Sequence, residues 1–155
     1  MQVFDDRVDR QQQAFFQMEA LISNQNVEIA KRVIDAFNRR DVDAIFECVN
    51  QDVEWFPAMP VTFGGGALRG REGIEAYIRE VSDTWEEYRV VGQDFRDLDG
   101  DQVVVLSRIE GRGTGSGGLV DAAMGQIFDF RDGKIVRVRT YLDHGETLKA
   151  AGLER

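Results

Sequence analysis

Few residues in this chain are of types that do chemistry, and those few exclude several reactions. The single cysteine, Cys48, cannot form an internal disulfide. The single histidine, His144, leaves no Cys/His cluster with metal-ligand spacing, so no metal site and no cofactor is expected. Cys48 falls on an apolar helix face, which predicts a buried and inert thiol. The glycine-rich run Gly113-Thr114-Gly115-Ser116-Gly117-Gly118 lacks the lysine and following helix of a phosphate-cradling loop. What remains are charged residues in alternating runs. Val104, Leu106, Arg108, Glu110 and Arg112 share one face of a predicted strand, and Val103, Val105, Ser107, Ile109 and Gly111 share the other. Arg137, Arg139, Tyr141 and Asp143 share a face further on. Such charges pair across strands on a solvated or dimer-facing sheet surface.

Positioning these residues requires two kinds of element. Apolar residues recur at helical spacing from Phe4 to Ile22, beside a Gln11-Gln12-Gln13 run that narrows the stripe, and a polar break is expected at Ser23–Asn26. A second helix carries Val27, Ala30, Val33, Ile34 and Phe37 on one face and ends near Arg39-Arg40. Asp41 is placed to cap a short helix bearing Ile45 and Cys48. Residues 52–56 form a predicted short strand, stopped by Pro57 and Pro60 and followed by a Gly64-Gly65-Gly66 loop. Another helix is predicted from about Arg71 to Trp85. The period then changes, and 88–97, 102–113, 120–130 and 134–142 alternate as strands joined by turns such as Asp99-Gly100 and Asp132-Gly133. Asp143 is placed to cap a short tail helix, with Glu146 three residues on. Short connectors imply antiparallel neighbours.

The fold class expected is α+β: a cone-shaped, curved antiparallel sheet covered by three helices, with an extra N-terminal helix. Residues 1–22 form the predicted helical extension and 26–153 the domain proper. The mouth of such a cone is a pocket. Met59, Phe63, Tyr77, Trp85, Phe95, Met124 and Phe128 suit core or pocket wall, and Tyr141 suits the pocket or a dimer contact. The 155 residues suit one domain, and a formal net charge of -9 argues against nucleic acid and anionic membranes. The start, Met1 to Asp6, lacks the pattern of a signal peptide, and no apolar run is long enough to span a bilayer, so a cytoplasmic location is expected.

The strings Val27–Asp41, Asp52-Val53-Glu54-Trp55, Gly70-Arg71-Glu72-Gly73-Ile74, Asp132-Gly133-Lys134-Ile135 and Tyr141-Leu142-Asp143, in this order, resemble SnoaL-like proteins of the nuclear-transport-factor-two-like superfamily. The resemblance covers about residues 26–153 and implies a homodimer packed through the outer sheet face, with an apolar small molecule in the pocket. The superfamily hosts isomerases, dehydratases, cyclases, epoxide hydrolases and non-catalytic binding proteins, so fold alone leaves the activity open.

Ketosteroid-isomerase chemistry needs a carboxylate base with Tyr and protonated Asp donors. The matching positions hold Trp55 or Phe56, Val33 and Gln126, of which Gln126 can still donate a hydrogen bond. Scytalone-dehydratase chemistry needs two histidines. Resemblance to limonene epoxide hydrolases places Arg108 and Glu110 where those enzymes hold an Arg and an Asp, which implies Glu110 as acid/base with Arg108 orienting it. Thr140, Phe56 and Ala58 stand where the second Asp and the water-holding residues belong. Two readings therefore follow. One is a lyase, isomerase or hydrolase using Glu110 and Arg108, with Trp55, Met59, Phe63, Tyr77, Trp85, Met124, Gln126 and Tyr141 binding an apolar substrate. The other is a non-catalytic ligand-binding or dimeric assembly module.

Overall fold

The computed structural model describes residues 6–57, 67–98, 101–115 and 117–153. The chain opens with one helix, α1 (Asp6–Asn38), rather than two separated at Ser23–Asn26. Serine, asparagine and glutamine each cost a helix less than about 0.7 kcal/mol relative to alanine, too little to break it without Gly or Pro. Its second half buries Ala30, Val33, Ile34 and Phe37, whereas Phe15 and Met18 in the first half are exposed.

Helix α1 stops at Arg40, which adopts a left-handed backbone (φ 60°) usually left to glycine. The N–H groups of Arg40 and Asp41 donate back to the Phe37 and Ala36 carbonyls at 3.0 and 2.9 Å. The cost of that φ, about 1 kcal/mol, is offset because the guanidinium donates to the carbonyls of Phe37 (2.7 Å) and Tyr88 (2.8 Å). Next comes α2 (Val42–Cys48), capped as expected by Asp41, whose carboxylate accepts from the Ala44 N–H at 3.1 Å.

Strand β1 (Val49–Phe56) leads to β2 (Leu68–Arg69), a two-residue strand too short to show periodicity in sequence. Helix α3 (Gly70–Thr84) is followed by β3 (Trp85–Leu98), β4 (Gln102–Gly113), β5 (Leu119–Arg131) and β6 (Lys134–Tyr141). Asp132 and Gly133 both have positive φ (52° and 77°), as the expected tight hairpin requires. The Asp99-Gly100 and Gly64–Gly66 turns lie outside the described residues. Helix α4 (His144–Ala150) closes the chain, with the Asp143 carboxylate accepting from the Glu146 N–H at 2.9 Å.

The sheet corrects the expected architecture. Its order among the described strands is β2-β1-β6-β5-β4-β3, with β1 parallel to β6, so it is mixed rather than antiparallel. Short connectors constrain only strands adjacent in sequence, and β1 and β6 are far apart in it. The sheet is also open, ending at β2 and β3, and is not the strongly curved cone. Closure would need a strand against the free edge of β3, and the end of α1 occupies that edge instead. There Asn38 bonds both backbone groups of Val90, and Arg40 bonds the Tyr88 carbonyl.

Helices α1, α2 and α3 share one core with the inner faces of β3, β4 and β5. Helix α4 lies on the opposite, outer face. A Cβ built on Gly125 would meet Thr147 Oγ1 at 2.0 Å, so only glycine lets α4 seat there. Val104 and Ile127, paired neighbours on that outer face, are fully buried and separate from the main core. No helix among the described residues is long and apolar enough to cross a membrane.

Candidate functional site

Among the described residues the inner face holds a small apolar cavity of about 20 Å³. That volume holds about one water molecule. One wall comes from α1, where Val33 and Ile34 lie one helical turn before Phe37. Trp55 of β1 and Tyr77 of α3 flank Phe37, with ring centroids 6.2 and 5.9 Å away in stacked geometry. Tyr88 meets Phe37 edge-on at 6.1 Å. The floor is the sheet itself, with Val90, Met124, Gln126, Phe128 and Thr140 pointing inward from three strands.

The polar groups of this cavity are neutral. Tyr77 and Tyr88 are hydrogen-bonded to each other, and burial pushes both phenols above their ordinary pKa. Arg40 lies with its guanidinium carbon 5.1 Å from the Phe37 ring centroid and 5.8 Å from that of Tyr88, at the rim of the aromatic cluster. Burial lowers the pKa of that guanidinium without threatening its charge. Gln126 is buried beside Ser107, whose Oγ contacts it at 3.1 Å. Behind Ser107, His144 Nε2 lies 2.8 Å from the Ser107 carbonyl, so this nitrogen carries the proton and donates.

Of the residues expected to bind substrate, Trp55, Tyr77, Met124 and Gln126 line this cavity. Trp85 does not; its ring packs against Tyr88 at 5.5 Å and over Gly111. Tyr141 pairs with Gly125 and so faces outward with it, while its neighbour Thr140 faces in. Met59 and Phe63 lie outside the described residues.

Arg108 and Glu110 are on the outer face, opposite the cavity. The reason is the period of the strand: Ser107 and Ile109 are buried inside, so Arg108 and Glu110 must point out. Arg108 Nε donates to Asp121 at 2.9 Å. Glu110 is exposed and sits opposite Arg89 on one side and Asp121 on the other. The geometry does not bring this pair to the cavity. Val33, Ile34, Phe37, Tyr88, Val90 and Thr140 also line the cavity without having been expected to bind substrate, although the alternation of Tyr88 and Val90 with Arg89 was a usable signal.

The SnoaL-like domain model matches residues 30–138, and the chain belongs to that family. Among solved structures, the crystal structure of TerC co-crystallised with polyporic acid is 27% identical, with a TM-score of 0.68, covering 83% of this chain and 97% of that one. An NTF2-like protein from Burkholderia pseudomallei K96243 is 23% identical at TM-score 0.67, covering 81% of this chain and 95% of its own. Bal32a, from a soil-derived mobile gene cassette, is 21% identical at TM-score 0.68, covering 86% and 99% respectively. No curated protein matches the chain.

Proposed function

We propose that this protein binds a small, flat, apolar molecule in the cavity between α1, α3 and the sheet, holding it by aromatic contact and hydrogen bonds without acid–base catalysis. One observation carries this reading. Among the described residues, the cavity wall includes no carboxylate, histidine or lysine. Residues 58–66, Ala-Met-Pro-Val-Thr-Phe-Gly-Gly-Gly, contain no titratable side chain either. Tyr77 and Tyr88 are the only ionisable groups among the described lining residues, and their raised pKa values keep them protonated at neutral pH. Such a site polarises and orients; it does not abstract protons. An acid/base role for Glu110 has no support in this arrangement, because the carboxylate faces away.

Entry of a ligand requires the aromatic wall to part, since the cavity at rest holds about one water. The test is a fluorescence titration that follows Trp55, using polyporic acid and naphthalene-sized aromatics. Saturable quenching, lost when Trp55 is replaced by Phe, is expected. Absence of saturation up to millimolar ligand sinks the binding reading. Turnover of any of these compounds that stops in Tyr77→Phe restores the enzyme reading.

A homodimer through the outer face is the second element of the proposal. Arg89, Arg108, Glu110 and Asp121 present both signs on adjacent strands there, beside the strongly exposed Leu119. A twofold-related copy matches such a surface with itself.

A further inference from the structure

Ser107 carries one hydroxyl hydrogen, and two oxygens compete for it. Its Oγ lies 3.0 Å from the Met124 carbonyl oxygen and 3.1 Å from Oε1 of Gln126. A hydroxyl donates once and accepts up to twice. With both neighbours as acceptors, one of these buried contacts sets lone pair against lone pair. Ser107 is fully buried and Gln126 nearly so, and in such a place an unmatched polar contact is costly.

Turning the Gln126 amide by half a rotation about its last bond removes the conflict. The amide Nε2–H then donates to Ser107 Oγ, and the Ser107 hydroxyl donates to the Met124 carbonyl. The two ends of a side-chain amide are related by just this rotation, and the bonding network decides between them. Every contact around Ser107 is then satisfied.

The rotation has a consequence for the cavity. Ser107 lies off the cavity, whereas Gln126 lines it. The amide end turned away from Ser107 is therefore the one facing the cavity, and in the satisfied arrangement it is the carbonyl oxygen. We infer that Gln126 presents a hydrogen-bond acceptor to the cavity and selects a ligand that donates, a phenolic or alcoholic hydroxyl, over one that offers only a carbonyl or ether oxygen. Thr140, the register partner of Gln126 on β6, also lines the cavity, but its hydroxyl both donates and accepts and so does not discriminate. The selection rests on the ligand-binding reading above, whereas the amide orientation stands on the Ser107 contacts alone.

Three probes of one shape separate the possibilities: 2-naphthol, which donates, and 2-methoxynaphthalene and 2-naphthaldehyde, which only accept. One hydrogen bond corresponds to about tenfold in affinity, so 2-naphthol should bind about tenfold tighter than the other two. That preference should vanish in Gln126→Met, which keeps the volume and removes both amide ends. Tighter binding of 2-naphthaldehyde, lost in the same variant, overturns the inference. Equal binding of all three also overturns it.

A ligand-free measurement runs alongside. In glutamine-labelled protein, the Gln126 side-chain NH₂ protons should show nuclear Overhauser contacts to the Ser107 β-protons and lose exchange protection in Ser107→Ala. If none of the naphthalenes binds, the ligand reading fails, and these contacts still decide the amide: seen, they uphold an acceptor facing the cavity; absent, they overturn it.

Discussion

The side-chain amide of Asn38 bonds both backbone groups of Val90. Its Nδ2–H donates to the Val90 carbonyl at 2.8 Å, and its Oδ1 accepts from the Val90 N–H at 2.9 Å. One residue at the end of α1 thus does for the edge of β3 what another strand would do, and the sheet ends there. Two partly buried backbone groups lose their partners in Asn38→Ala, each at about 1–3 kcal/mol if unsatisfied, with water recovering part. A net loss of about 2 kcal/mol is expected, read as a lower urea midpoint at unchanged slope. A loss below about 0.5 kcal/mol shows that the clamp is incidental.

Gly125 and Thr147 make the corresponding contact on the outer face. Gly125→Ala puts a methyl group 2.0 Å from Thr147 Oγ1, with Thr147 Cβ and Cγ2 at 2.7 Å, so α4 must shift or lift. Overpacking of this kind costs about 1–3 kcal/mol. Amide exchange in residues 144–150 should accelerate far more than in the strands. Uniform acceleration across the chain would show that α4 is not the element that gives way.

Alkaline stability should report the tyrosine pair. Burial raises the folded-state pKa of Tyr77 and Tyr88 above the ordinary value near 10, so the folded state holds its protons more tightly than the unfolded chain. Their contribution is complete below about pH 10. It is lost as pH rises towards the folded-state values. Wild-type stability should therefore fall above about pH 10, and Tyr77→Phe should show a shallower fall over the same range. Parallel profiles would mean that Tyr77 does not carry the effect.

Replacing Glu110 with Gln should leave ligand binding unchanged, because the carboxylate is on the face away from the cavity. Removing the exposed Arg108–Asp121 pair through Arg108→Ala should alter stability by less than about 1 kcal/mol. The informative measurement is mass by sedimentation. The wild type should sediment at twice its 17.6 kDa, and Glu110→Arg, which changes the sign opposite Arg89, should shift it towards monomer. A monomeric wild type at micromolar concentration rejects the outer-face dimer.

Residues 1–22 precede the region matched by the family model, which begins at residue 30. We propose that they are peripheral even though α1 runs through without a break. A chain starting at residue 23 should fold, with cooperative unfolding and a modest loss of stability. Failure to fold would place them in the domain proper.

Helices and strands are legible in this sequence because their apolar periods differ, and a side chain's period survives without knowledge of its neighbours. The caps at Asp41 and Asp143, the Asp132-Gly133 turn and the alternation along β4 all follow from contacts within a few residues. The alternation around Ser107 and Ile109 even determines that Arg108 and Glu110 share a face. Which face looks inward depends on where α1, α2 and α3 settle, and that is a long-range matter. So too is the parallel meeting of β1 with β6, which no short connector enforces. The cavity wall needs Phe37, Trp55, Tyr77 and Tyr88 together, from four elements. Their meeting costs chain entropy that only the assembled core repays. Sequence by itself determined most of the elements and their apolar faces, but not the continuity of α1 or the two-residue β2. Tertiary packing decided that the charged pair faces outward and that tyrosines, a glutamine and aromatic rings face the cavity, because burial is a property of the whole assembly.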